Sequence, residues 1–141
     1  LLLFGGGLSL AAAAQTTGLA AWIGNLMPLG LSMVLLIIMF TALIIFLTEL
    51  TSNLATTATF LPIVAIIATQ FGFNPLLLTA SIAIAASCAF MLPVATPPNA
   101  IVFGSELIKV PQMMRAGIVI NLIAIVVVTL AGLYLVPLFL I

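Results

Sequence analysis

Runs of Leu, Ile, Val and Ala fill most of the chain, and polar residues interrupt them at only a few places. A bilayer core of about 30 Å takes about 20 helical residues, and every backbone group inside it must be paired within the segment. Measured against that length, the apolar runs divide into five helical segments. Leu1 to about Gln15 is the visible part of the first, interrupted by Gly5, Gly6 and Gly7, which mark close helix packing or a bend. TTGLAAWIGNLMPLG reads as a boundary with Trp22 suited to an interface, so 1–27 is a transmembrane helix with an interfacial turn. The second segment runs from about Leu29 to Leu50 and the third from about Ala55 to Phe71. FGFNP is a turn with a helix start at Pro75. The fourth segment, 75–108, is broken inside by LPVATPPNA, and the fifth covers 113–140.

Segments two and three cannot be one helix, since about 43 residues at 1.5 Å each would be twice the bilayer thickness. They form a hairpin over 29–71 whose tip is TELTSNLATT. Two full spans would put the tip in water, and two arms that stop part-way would put it inside the protein. Both return the chain to its starting side, and the pattern leaves the depth open.

Composition narrows the class. The 141 residues are 66% hydrophobic and 3% charged, with no His, whereas a soluble domain carries roughly a quarter charged residues. The expected fold is all-α and integral to a lipid bilayer. The four charges, Glu49, Glu106, Lys109 and Arg115, sum to zero and offer nucleic acid no basic surface. Cys88 stands alone, so it closes no internal disulfide and reads as a small packing residue. Without His and with two acids in different segments, neither a transition-metal cluster nor an enzyme's acid pair or nucleophile–base pair can be assembled. Lys109 and Arg115 share the short connection SELIKVPQMMR, and short basic loops stay cytoplasmic. That places the 104–115 connection inside, the carboxy terminus outside, and the hairpin entering from outside. The opening run has no basic stretch before it and does not read as a signal peptide, so a piece of a longer chain is expected.

Two polar interruptions carry the chemistry. In ELTSNLATTATF, Glu49, Thr51, Ser52, Asn53, Thr56 and Thr57 stand side by side between apolar runs. Such groups are costly in lipid unless each finds a partner, so the cluster is either the wet end of a helix pair or a site. In segment four, Pro93, Pro97 and Pro98 remove three helix donors, and the helix must open around Val94 to Asn99. Non-helical backbone at membrane depth persists only where it is buried in protein or lines a cavity, and the apolar flanks FML and AIVFG argue for depth. A kinked packing helix would need a single proline. Freed carbonyls before such a break are hard ligands for Na⁺, while free amides after it, at the positive end of a half-helix, attract an anion. Ser, Thr and Asn side chains add neutral oxygens and donors, so no buried cationic side chain is required. Ser52 and Asn53 are therefore expected near the bilayer midplane, close to Thr96 and Asn99.

ELTSN followed by a Thr-rich apolar arm, then CAFMLPVATPPNAIVFGS some forty residues on, resembles the carboxy-terminal half of the divalent anion/sodium symporter family. LLLFGGGLSLA matches that family's run ahead of its second hairpin, so the resemblance covers essentially the whole chain, with ATPPN its specific stretch. The resemblance implies one half of an inverted-repeat transporter, with a re-entrant helical hairpin and a discontinuous transmembrane helix, working as a homodimer by an elevator-type movement in a bacterial inner membrane. It implies a sodium site drawing on Thr48, Thr51, Asn53 and Ala95, and a substrate carboxylate meeting Ser52, Asn53, Thr96 and Pro97. The first sodium site and the other hairpin would lie in an amino-terminal half. The departure is Leu54, beside the substrate, where the family pattern has Thr.

The resulting expectation is sodium-coupled symport of small divalent anions, with C4-dicarboxylates such as succinate, malate and fumarate as substrates. A sodium-independent exchanger of the citrate/succinate type, a sulfate carrier on the same scaffold, and a non-transporting membrane subunit are the alternatives. At Leu54 two readings stand: the residue tunes which anion fits, or Thr56 and Thr57 serve the carboxylate while Leu54 packs on a neighbour.

Overall fold

A computed structural model describes residues 2–26 and 32–140, and among them the regular structure is entirely helical. Helices α1 (Leu2–Thr16) and α2 (Leu19–Leu26) meet at Gly18, whose φ of 72° is the left-handed conformation that glycine adopts without strain. α1 continues through Gly5, Gly6 and Gly7 without interruption, and a Cβ at Gly5 or Gly6 would touch none of the described residues. The break expected there is absent, because an unbroken i to i−4 ladder satisfies the backbone that lipid cannot. The expected interfacial turn is likewise largely helical, with Trp22 exposed on α2. The start expected for segment two near Leu29 lies outside the described residues.

α3 (Met33–Thr48) and α4 (Asn53–Gln70) are the arms of the hairpin, joined by the short tip 49–52. Ser32 caps α3 by accepting from the Leu35 amide. α4 ends in a Schellman turn: Gly72, at φ 74°, donates to Thr69 O while Phe73 donates to Ala68 O. Asn74 then caps α5 (Pro75–Ala85) through the Leu76 amide, with Pro75 in the first turn, where its missing N–H costs nothing. α5 is the centre of the molecule. Leu78, Ile82 and Ala85 are fully buried among Leu36, Ile37, Ile44 and Ile45 of α3 and Val64, Ile67 and Ala68 of α4. Both hairpin arms pack more extensively on α5 than on each other.

Irregular chain from 86 to 96 separates α5 from α6 (Pro97–Gly104), so segment four is two short helices with a break between them. α7 (Val110–Leu130), a π-helical turn (Ala131–Leu135) and α8 (Val136–Leu140) then form one continuous rod, packed on α3 and α5. Pro137 lies just beyond the π turn, and a π turn is a common way to accommodate a lost helix donor. By length and composition Asn53–Gln70 and Val110–Phe139 are long and apolar enough to cross a membrane, while α3 and α5 are shorter apolar helices. At 1.5 Å per residue the 11 residues of α5 reach only about 16 Å, roughly half a bilayer core, before the chain opens.

Candidate functional site where the hairpin tip meets the broken helix

The two polar interruptions come together. Glu49, Leu50, Thr51, Ser52, Asn53 and Leu54 of the tip face Val94, Ala95 and Pro97 of the break across a cleft of about 560 Å³. Of the residues expected to form a site, Thr51, Ser52, Asn53, Leu54, Ala95 and Pro97 line this cleft directly. Thr48 lies behind it, fully buried, and Thr96 is half-buried between Ala95 and Pro97 without lining the wall.

A group of oxygens gathers at Thr48. Its Oγ1 stands 2.6 Å from Asn53 Oδ1 and 2.9 Å from the Ala86 carbonyl oxygen, and can donate its single proton to only one of them at a time. Three neutral hard oxygens with one proton among them, drawn from the hairpin and the break, are a donor set suited to an alkali cation. The other threonine hydroxyls of the tip are committed within the hairpin. Thr51 Oγ1 donates to Leu47 O at 2.9 Å and meets Thr56 Oγ1 at 2.7 Å, and Thr57 Oγ1 donates to Asn53 O at 2.8 Å. Thr56 and Thr57 therefore stay out of the cleft. Leu54 does not pack away, being 58% exposed on the cleft wall.

Backbone donors decide where an anion can sit, and here the structure corrects the expectation from sequence. The free amides were expected after the break, at the start of α6, but Pro97 and Pro98 occupy its first two positions and carry no N–H. Asn99 alone among the first three residues has an amide to offer. The first three residues of α4, Asn53, Leu54 and Ala55, all keep theirs, and the Ser52 side chain does not cap them. The donor-rich helix end at the cleft thus belongs to the hairpin.

Asn99 also behaves differently from expectation. Rather than joining Ser52 and Asn53, it turns back into the break, where Nδ2 donates to Ala89 O and Leu92 O, each at 3.0 Å. Carbonyls freed by the break need donors in a medium that supplies none, and Asn99, on the first turn of α6, supplies two.

The amides of the break are taken by Glu49, a residue singled out by the sequence but given no partner there. Oε1 accepts from the Phe90 amide at 2.8 Å, the Met91 amide at 2.9 Å and Asn121 Nδ2 at 2.8 Å, while Oε2 accepts from the Leu92 amide at 3.0 Å. Glu49 is 3% exposed, and its carboxylate meets four hydrogen-bond donors and no cationic side chain. Gly117, one turn before Asn121 on α7, allows the approach: a Cβ there would collide with the Phe90 carbonyl and sit 2.5 Å from Met91 Cα. Gly117 and Asn121 had no signal in an unaligned sequence beyond a small and a polar residue four apart in an apolar helix.

Among the described residues no group of three or more His, Cys, Asp or Glu is placed to hold a metal ion. Glu106, Lys109 and Arg115 are exposed on or near the α6–α7 connection, away from the cleft.

Known proteins carry the same pattern. The chain is 47% identical over 139 residues to proteins named sodium-dependent dicarboxylate transporter SdcS from Staphylococcus saprophyticus and from Staphylococcus aureus strains MRSA252 and USA300. The match takes in 97% of this chain and 27% of each relative, so the chain spans about a quarter of the length of the curated relatives it matches. The family described as the sodium:sulfate symporter transmembrane region matches residues 1–141, from end to end. An all-helical apolar chain with its polar residues gathered at a hairpin tip and a helix break thus belongs to that family, one of membrane transporters and not of enzymes.

Proposed function

We propose that the chain is the carboxy-terminal part of a sodium-coupled symporter for small divalent anions, with C4-dicarboxylates as substrates. One observation carries the reading: the hairpin tip and the helix break share a cleft with a donor-rich helix end at Asn53 and an oxygen cluster at Thr48 directly behind it. Sodium is held by oxygens of Thr48, Thr51 and Asn53 with the Ala95 carbonyl. The substrate carboxylate takes the Ser52 hydroxyl, the Asn53 amide and the first amides of α4, with Leu54, Thr96 and Pro97 shaping its surroundings. Asn53 belongs to both sites, since its amide offers an oxygen to a cation and hydrogens to an anion. Sharing one residue couples the two ligands, because a bound cation on the oxygen leaves the amide hydrogens turned toward the anion.

The hairpin is re-entrant in this reading. Its tip packs on a break that lies about 16 Å, half a bilayer core, along segment four. The remainder of a chain as long as the SdcS relatives supplies an amino-terminal half with the inverted repeat and the first sodium site, and the carrier works as a homodimer in a bacterial inner membrane. Residues 104–115 face the cytoplasm and the carboxy terminus faces outward.

Uptake of labelled succinate by the full-length carrier, measured against sodium concentration, tests the proposal. Asn53→Ala removes an oxygen ligand from the cation and a hydrogen bond to the carboxylate worth about 1.5–3 kcal/mol, so succinate affinity should weaken about ten- to a hundred-fold and sodium dependence should weaken with it. Ala95→Ser keeps the carbonyl and should lose less. Unchanged sodium dependence in Asn53→Ala, or wild-type uptake that needs a counter-anion instead of sodium, would favour an exchanger.

A further inference from the structure

We infer that Glu49 is a positioning residue for the proposed sodium site, acting through the broken helix and α7; the assignment of what it positions rests on the transport reading above. Three consecutive amides, Phe90, Met91 and Leu92, converge on one carboxylate, and Asn121 of α7 completes it. In such an arrangement of successive N–H groups an anion normally comes from outside the protein. Here the anion is part of the chain. The amides of the break are therefore closed to substrate, which must turn to the start of α4.

The position of Glu49 in the chain gives the clamp its effect. It immediately follows Thr48, whose hydroxyl reaches both Asn53 Oδ1 and Ala86 O. It is the first residue of the cleft-lining tip, and the amides it holds lie three to five residues before Ala95. One side chain thus sets the distance between the hairpin oxygens and the Ala95 carbonyl, the two halves of the cation's coordination. α7 joins the same unit twice, through Asn121 on the carboxylate and through Gly117 against the Phe90–Met91 backbone. Glu49 touches neither ligand in this scheme, and it acts on sodium affinity by holding its neighbours in register.

Two measurements on the full-length carrier separate the clamp from the transport reading. The first is amide hydrogen exchange in the purified protein without substrate. Phe90 to Leu92 should be protected in the wild type and exchange at least about ten-fold faster in Glu49→Gln, whose amide group presents hydrogens to the Leu92 donor. Rapid exchange of these amides in the wild type, or equal protection in the variant, overturns the clamp.

The second is succinate uptake against sodium concentration. Glu49→Gln should raise half-saturating sodium about ten-fold, more than it lowers the maximal rate per folded carrier. Asn121→Asp sets a second carboxylate against the first and should be worse. A merely structural role predicts fewer folded carriers with unchanged half-saturation, and that result overturns the positioning role even with the clamp intact. A wild type without sodium-dependent uptake defeats the transport reading, and hydrogen exchange still decides whether the clamp exists.

Discussion

Ser52 and Leu54 expose their side chains on the cleft wall, while Thr48, Glu49, Thr51, Thr56 and Thr57 spend theirs on the hairpin and the break. That division makes binding and stability separable by substitution. Neither Ser52 nor Thr96 caps its helix with its side chain, so Ser52→Ala and Thr96→Ala should unfold within about 0.5 kcal/mol of wild type. If the two hydroxyls meet substrate, both variants should nevertheless lose succinate affinity. Thr48→Ala strips a buried partner from Asn53 and Ala86 and should cost about 1–3 kcal/mol of stability as well. Thermal unfolding in detergent, paired with uptake per folded carrier, distinguishes these outcomes. Leu54 gives a test of substrate choice. A hydroxyl donating to a carboxylate there would be worth about 1.5–3 kcal/mol, so Leu54→Thr should tighten C4-dicarboxylate binding roughly ten- to a hundred-fold. Competition by succinate, malate, citrate and sulfate in both proteins reads it out, and an identical ranking and affinity for all four would end the idea that this position selects substrate.

The rod of α7, the π turn and α8 owes its seat to two glycines that meet different obstacles. At Gly117 the obstacle is backbone, the Phe90 carbonyl and Met91 Cα, which cannot rotate away. At Gly132, in the π turn, it is the Ser81 Oγ, with the Ser81 Cβ at 3.3 Å. A hydroxyl can take another rotamer, at the expense of its 2.7 Å bond to Leu77 O. Gly117→Ala should therefore destabilise the carrier by about 1–3 kcal/mol and disturb transport, and Gly132→Ala should do less. Adding Ser81→Ala should relieve the second substitution and leave the first unchanged. Melting temperatures of the four variants check the order, and equal losses at the two glycines would contradict it. α6 shows the opposite economy: its paired prolines start a helix but leave it with few donors, so the neighbouring α4 presents the amides.

Across the molecule, the exposed surface of the α7 rod is apolar over most of its length, with Ile118, Val119, Leu122, Ile123, Val126 and Val127 all outward, while Lys109 and Arg115 sit at its start. The proposed orientation follows from that asymmetry. In a full-length carrier depleted of other cysteines, Lys109→Cys should react with a membrane-impermeant maleimide in inside-out vesicles and stay unlabelled in right-side-out cells. Ile123→Cys should stay unlabelled from both sides, since that position faces lipid or protein. Labelling of Lys109→Cys from outside would invert the topology, and with it the side from which the hairpin enters.

Apolar run lengths and three prolines were enough to read from sequence the helical class, the hairpin and the opening of segment four, because each follows from what lipid does to an unpaired backbone. The clustering of Thr, Ser and Asn at 48–57 likewise marked the tip, since polar groups in lipid need partners. The identity of those partners lay beyond it. Glu49 and the amides it holds are more than forty residues apart, Asn121 is 72 residues away, and Gly117 looks like any other small residue in an apolar helix. Asn99 carried the same chemistry as Asn53 in the sequence, and packing alone sent one to the break and the other to the cleft. Polar residue types and their spacing state what must be satisfied; which group satisfies which is decided by three-dimensional proximity, where helices that are remote in sequence bring complementary donors and acceptors within hydrogen-bond reach.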